Sequence, residues 1–242
     1  INYYSLALDS SPRHFKALFN RGFAYDKLGE FSAAIRDYTA SLKLEPQNAF
    51  AFYNRGISYD RAGEFTNAYE DFSSAIRLLP DNPDFYHNRA FCLRKLDRLP
   101  EAVRDYTECL RLSPNHFKAL HNRGYCNEHL GEWQLALNDY SQALVVDPNH
   151  VGSLCARASV YDRIQDLDHC IADFRRALHI LQNAMKVGDG ANSDGSSESS
   201  NISEILVALG RALAKAGQTT ESNRLYDQAL TLIQRREEGT EQ

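Results

Sequence analysis

Asn20, Asn54, Asn88 and Asn122 stand at one constant interval along the chain. A carboxamide carries an acceptor oxygen and two N–H donors, which match the donor and acceptor of a peptide group. A row of such amides can therefore hold the backbone of another chain with little regard to its sequence. Each asparagine is followed by an arginine, giving Arg21, Arg55, Arg89, Arg123 and, after Ala156, Arg157. Sixteen residues beyond each arginine stands an aspartate: Asp37, Asp71, Asp105, Asp139 and Asp173. Guanidinium and carboxylate at a fixed separation suit bidentate ion pairs inside a repeated unit. Ala208, Leu209 and Leu225 occupy the corresponding places in the last unit, so both charges vanish together there, as pairing requires.

The elements that position these columns follow from the same period. Pro12, Pro46, Pro80, Pro114 and Pro148 recur at the interval of the asparagines, and a strict period of that length marks a repeat array. Each unit carries two apolar stretches at helical spacing, such as Leu18, Gly22, Tyr25 and Ala34, Tyr38, Ser41. Gly29-Glu30, Gly63-Glu64 and Gly131-Glu132 break the pattern inside units, and the prolines with Gln47-Asn48, Asp81-Asn82 or Asn115-His116 break it between them. Each unit therefore reads helix, turn, helix, turn. The small residue after each arginine allows close approach of the paired helices, and an aromatic follows each aspartate (Tyr38, Phe72, Tyr106, Tyr140, Phe174).

These residues, with Ala34, Ala68 and Ala102 and the closing prolines, resemble the tetratricopeptide repeat family. The resemblance implies an all-α, right-handed solenoid superhelix of helix-turn-helix repeats. It covers five consecutive repeats over residues 14–183 and a degenerate sixth over 202–236. Residues 1–13 align with the second helix of a truncated preceding repeat, so we read the chain as a piece of a longer protein. The register slips between Ala158 and Gly210, which stand further apart than one period, and the Gly/Ser/acidic stretch over 184–201 accounts for the excess. Its low apolar content predicts disorder, with Asn201 and Glu204 opening the sixth repeat as a capping box. A flexible tail is expected over 237–242.

The family comparison places the asparagines on the concave wall. There they look like the asparagine ladder in the repeat domain of O-linked N-acetylglucosamine transferase, which grips an extended peptide. It implies a peptide-binding wall that includes Phe19, Tyr53, Phe23 and Tyr125 beside the amides and Lys27, Arg61 and Lys95 one turn later. The Hsp70/Hsp90 tail clamp of related adaptors is not matched. Its positions hold Phe19, Phe23, Asn54, Asp84 and Asn88, or Tyr53, Ile57, Asn88, Lys118 and Asn122, and only the central asparagine agrees.

Composition narrows the function. A net charge of −5 and a pI near 5.9 give no basic field for nucleic acid, and no apolar run is long enough for membrane insertion. Cys92, Cys109, Cys126, Cys155 and Cys170 form no C-x-x-C pair and read as reduced core thiols, which suggests the cytoplasm. His169 beside Cys170 lacks further ligands at metal-binding spacing, so no metal or cofactor is expected. No phosphate loop, H-E-x-x-H or G-x-S-x-G motif is present. The expectation is a non-catalytic scaffold that binds an extended segment of a protein partner. The alternatives are a permanent component of a cytoskeletal or ciliary assembly and a targeting receptor of the peroxisomal import type.

Overall fold

Thirteen helices account for all the regular structure among the described residues of a computed structural model. It describes residues 1–187 and 195–240, without the side chains of 186–187, 195–201 and 235–240. In order they are α1 (Asn2–Ser10), α2 (Phe15–Lys27), α3 (Phe31–Leu44), α4 (Ala49–Arg61), α5 (Phe65–Leu78), α6 (Pro83–Lys95) and α7 (Leu99–Leu112). There follow α8 (Phe117–His129), α9 (Trp133–Val146), α10 (Val151–Arg163), α11 (Leu167–Val187), α12 (Gly195–Lys215) and α13 (Thr219–Thr240). The chain divides into two compact units, Ile1–Leu130 and Gly131–Gln242. Within the first, α2 packs on α3, α4 on α5 and α6 on α7, and each pair stacks on the next; in the second, α10 packs on α11 and α12 on α13. This is the helix-pair architecture of a tetratricopeptide solenoid.

The starts and stops of these helices are chemical. His14, Asn48, Asn82, His116 and His150 each sit just ahead of a first helix and accept a hydrogen bond from a backbone N–H of its opening turn. The distances run from 3.0 to 3.2 Å. Each cap satisfies a donor that the helix leaves unpaired. The sequence shows this column as the Asn/His after each proline. Between paired helices the chain turns through positive φ at Gly29, Gly63, Gly131 and Gly217, but at Asp97 (φ 57) and Gln165 (φ 64) side chains occupy that region.

The core lies between paired helices. Tyr38, Phe72, Tyr106 and Tyr140 are fully buried with Ala34, Ala68, Ala102 and Ala136. The small residue after the arginine meets the aromatic directly. A Cβ placed on Gly56 would fall 2.8 Å from Phe72, and one on Gly22 3.2 Å from Tyr38. Cys92, Cys109, Cys126 and Cys170 are buried free thiols whose pKa that burial pushes up to about 12, and half-buried Cys155 is pushed up to about 11. His169 is exposed and bonded to Asp166, turned to the surface while Cys170 lies in the core.

At the register slip the helices reach further than the sequence suggests. α11 runs to Val187, and α12 starts at Gly195 rather than at Asn201, because a docked apolar face (Ile202, Ile205, Leu206, Leu209) lets a helix propagate upstream where no proline stops it. The disorder expected within 184–201 otherwise falls on 188–194, outside the described residues. Similarly α13 continues to Thr240, beyond the expected end at 236, and the last two residues of the expected tail lie outside the described residues.

Candidate functional site

The first helices of successive repeats adjoin, α2 to α4, α4 to α6 and α6 to α8, so the asparagine column runs along one face of the first unit. Asn20 is exposed, and Asn54, Asn88 and Asn122 are half-buried. Asn54 Nδ2 donates to Phe50 O at 2.7 Å. Asn88 Nδ2 donates both to Asp84 O and to the Tyr53 hydroxyl of the preceding repeat, each at 2.9 Å. Asn88 thus commits both its protons inside the chain. The sequence suggested donor and acceptor at every rung; the helix carbonyl four residues back is the competitor that periodicity does not reveal.

The aromatics divide into two groups. Phe19 lies edge-on to Tyr38 with centroids 5.5 Å apart, and Tyr53 is wedged between Phe72 (5.8 Å) and Phe85 (4.7 Å). Their rings serve repeat packing, and burial raises the Tyr53 pKa. His87, the next in this column, packs on Tyr106 and His116. Burial, then the nearby His116, lowers its pKa to about 4. Phe23 behaves differently. It is 45% exposed, with Lys27 Nζ 5.1 Å from its ring centre. Tyr125 carries His129 4.0 Å away on one side and the Arg94 guanidinium at 4.9 Å.

The charged residues along this face join one repeat to the next. Arg61 is ion-paired with Asp26, whose other oxygen accepts from Ser58 at 2.9 Å. Lys95 stands 5.5 Å from the Phe91 ring centre and favours the ionised form of Asp60, whose pKa burial raises on balance. In the second unit Lys215 pairs with Asp162 at 2.7 Å. Arg61 is therefore a partly committed cation, and Lys27 is the one that stands over an exposed ring.

The arginine–aspartate columns meet as forks. Arg21, Arg55, Arg89 and Arg157 each donate Nε and Nη2 to both oxygens of Asp37, Asp71, Asp105 and Asp173, at 2.6 to 2.8 Å. Arg123 and Asp139 belong to different units; Asp139 is buried. The remaining nitrogen, Nη1, reaches back to the preceding repeat. It donates to Ser5, Thr39, Ser73, Thr107 and Ser141 from Arg21, Arg55, Arg89, Arg123 and Arg157, at 2.9 to 3.2 Å. This hydroxyl column escaped the sequence reading, although a Ser or Thr stands sixteen residues before each of the five arginines.

Comparison with known proteins agrees with this architecture. Models of the tetratricopeptide repeat match residues 15–48, 83–116 and 117–150. No curated protein matched the chain in sequence. Among solved structures, MamA superposes with a TM-score of 0.69 at 19% identity, over 74% of this chain and 98% of its own. YrrB, described as a tetratricopeptide repeat protein with an unusual peptide-binding site, gives 0.65 at 20% identity, over 75% and 94%. The C-terminal part of a tetratricopeptide repeat-containing protein from Cytophaga hutchinsonii gives 0.77 at 12% identity, over 96% and 88%. At such identities the likeness concerns the fold. No described helix is long and apolar enough to cross a membrane.

Proposed function

We propose that the chain is a protein-interaction scaffold whose asparagine-bearing face, on α2, α4, α6 and α8, binds an extended segment of a partner protein. One observation carries the reading: carboxamides recur once per repeat on adjoining helices, beside exposed Phe23 and half-buried Tyr125. The asparagines' likeness to the ladder of the O-linked N-acetylglucosamine transferase repeat domain, and the peptide-binding site ascribed to YrrB, support it. An amide row reads backbone, and rings beside it bind apolar side chains. Phe19, Tyr53 and Arg61 help mainly by holding the face in shape.

The reading assigns no catalysis, cofactor or metal to the chain, and no binding to nucleic acid, membranes or the Hsp70/Hsp90 tail; it places the protein in the cytoplasm. Peptides selected from a displayed library of random linear sequences test it. Their affinities are measured by calorimetry for the wild type and for Asn54→Ala/Asn88→Ala/Asn122→Ala, after matched thermal melts. A loss of about tenfold or more is expected, as two or three hydrogen bonds disappear. Unchanged affinities move recognition off this face and favour the permanent-assembly reading.

A further inference from the structure

The column one turn beyond the exposed aromatics is acidic at Asp26, Asp60, Glu128 and Asp162, but its third member is Arg94. Asp26 is ion-paired with Arg61 and Asp162 with Lys215, each a cation of the following repeat, and Lys95 of the following repeat acts electrostatically on Asp60. At the equivalent spacing after Arg94 stands His129, another base rather than an acid. Its guanidinium has no carboxylate partner among the described residues, and its Nε, although buried, has no hydrogen-bond acceptor.

Arg94 is nevertheless held firmly. The rings of Phe91 and Tyr125 both lie 4.9 Å from its guanidinium carbon, one from its own repeat and one from the next. Such contacts orient a cation without neutralising it. Nearby is Tyr106, fully buried; burial raises its pKa, and the Arg94 guanidinium, close enough to bond its hydroxyl, opposes that rise without supplying a negative charge to the arginine. An oriented, half-buried guanidinium with no carboxylate of its own is pre-arranged to take an anion.

We propose that Arg94 is the specificity-determining residue of this face and receives an aspartate or glutamate side chain of the bound segment. The inference rests on the peptide-binding reading above. Asn88 lies on the same helix and Asn122 on the next, and in this assignment a strand held by these amides passes close enough to reach Arg94. A planar fork takes a carboxylate in two parallel bonds.

The displayed library of random linear peptides provides the test. Wild-type selections should be enriched in Asp or Glu at one position. Changing that residue to Gln or Asn in a selected peptide should weaken binding to the wild type about tenfold, and to Arg94→Gln less than about twofold. Arg94→Lys keeps the charge without the fork and should fall between them, which guards against a folding defect in the first variant. Selections without acidic enrichment, or an equal loss in Arg94→Gln, overturn the assignment while leaving the face intact. A library that yields no wild-type binder, or selected peptides that bind the asparagine triple variant as tightly as the wild type, overturns the underlying reading and the assignment with it.

Discussion

The fifth and sixth repeats solve one packing problem with opposite chemistry. In the fifth, Arg157 forks onto Asp173, which is only 6% exposed, and reaches back to Ser141. In the sixth, Leu209 and Leu225 stand in the fork positions and join an apolar cluster with Leu206, Leu213 and Ala229. The hydroxyl position becomes Arg175, which turns outward to both oxygens of Glu221 at 2.9 Å. Three members of one network are replaced together. The fork is therefore a means of joining helices, and an apolar pair can stand in for it. Buried ion pairs behave this way generally: removing one partner is costly, while replacing both with apolar groups is often tolerated.

Importing the sixth-repeat solution into the fifth is the strongest test. Arg157→Ala leaves the buried Asp173 carboxylate alone and should cost about 3 to 5 kcal/mol in chemical denaturation. Arg157→Leu/Asp173→Leu should cost roughly 1 kcal/mol or less, so the cycle shows strong coupling. Additive losses would mean that the two repeats are not alternatives.

Much of this contrast was legible in the sequence. The joint loss of arginine and aspartate marks the pair, and the proline period marks the repeats, because both are strictly periodic. The hydroxyls contacted by Nη1 were equally periodic, but Ser and Thr on a helix have many uses and carry no unique signal. The commitment of Asn88 to Asp84 O and Tyr53, and the inward packing of Phe19 and Tyr53, depend on rotamers and inter-repeat distances that periodicity does not specify. The extent of α11 and α12 was missed because composition describes what a segment can bury alone, whereas helix propagation depends on what its neighbour has already docked.

The same contrast of chemistry predicts which close approaches tolerate change. Gly56→Ala drives a methyl to 2.8 Å from Phe72, a ring with 1% exposure and little room to move, and should cost about 2 kcal/mol. Gly22→Ala, at 3.2 Å from Tyr38, should cost visibly less. Equal melting temperatures for the two variants would show that the aromatic stack relaxes freely.

An acid titration tests the histidine that the third repeat carries where the first two have Phe19 and Tyr53. His87 packs against Tyr106 and His116, with Asn88, Lys118 and Asp84 also acting on it, and its pKa is lowered from 6.5 to about 4, chiefly by burial. The unfolded chain then binds the proton more readily than the folded one. The contribution is intact above about pH 6.5 and is lost as pH falls towards 4, by roughly 2 kcal/mol after allowance for partial burial. His87→Phe, which imports the residue type of Phe19, should flatten stability over that window. A slope unchanged by the substitution would assign the acid sensitivity elsewhere.

The smallest effect concerns the turns. Asp97 and Gln165 adopt positive φ where Gly29, Gly63, Gly131 and Gly217 stand in the equivalent turns. A β-carbon in that region is strained by about 1 kcal/mol, while glycine enlarges the entropy of the unfolded chain, so the two terms partly cancel. Asp97→Gly and Gln165→Gly should each stabilise by less than about 1 kcal/mol. Gln165 also donates from its amide to Asp162 O at 3.0 Å. That local bond offsets part of the strain, so the gain should be larger at Asp97. A loss of stability at Asp97 would mean that its side chain contributes more to the third repeat than its backbone strain costs.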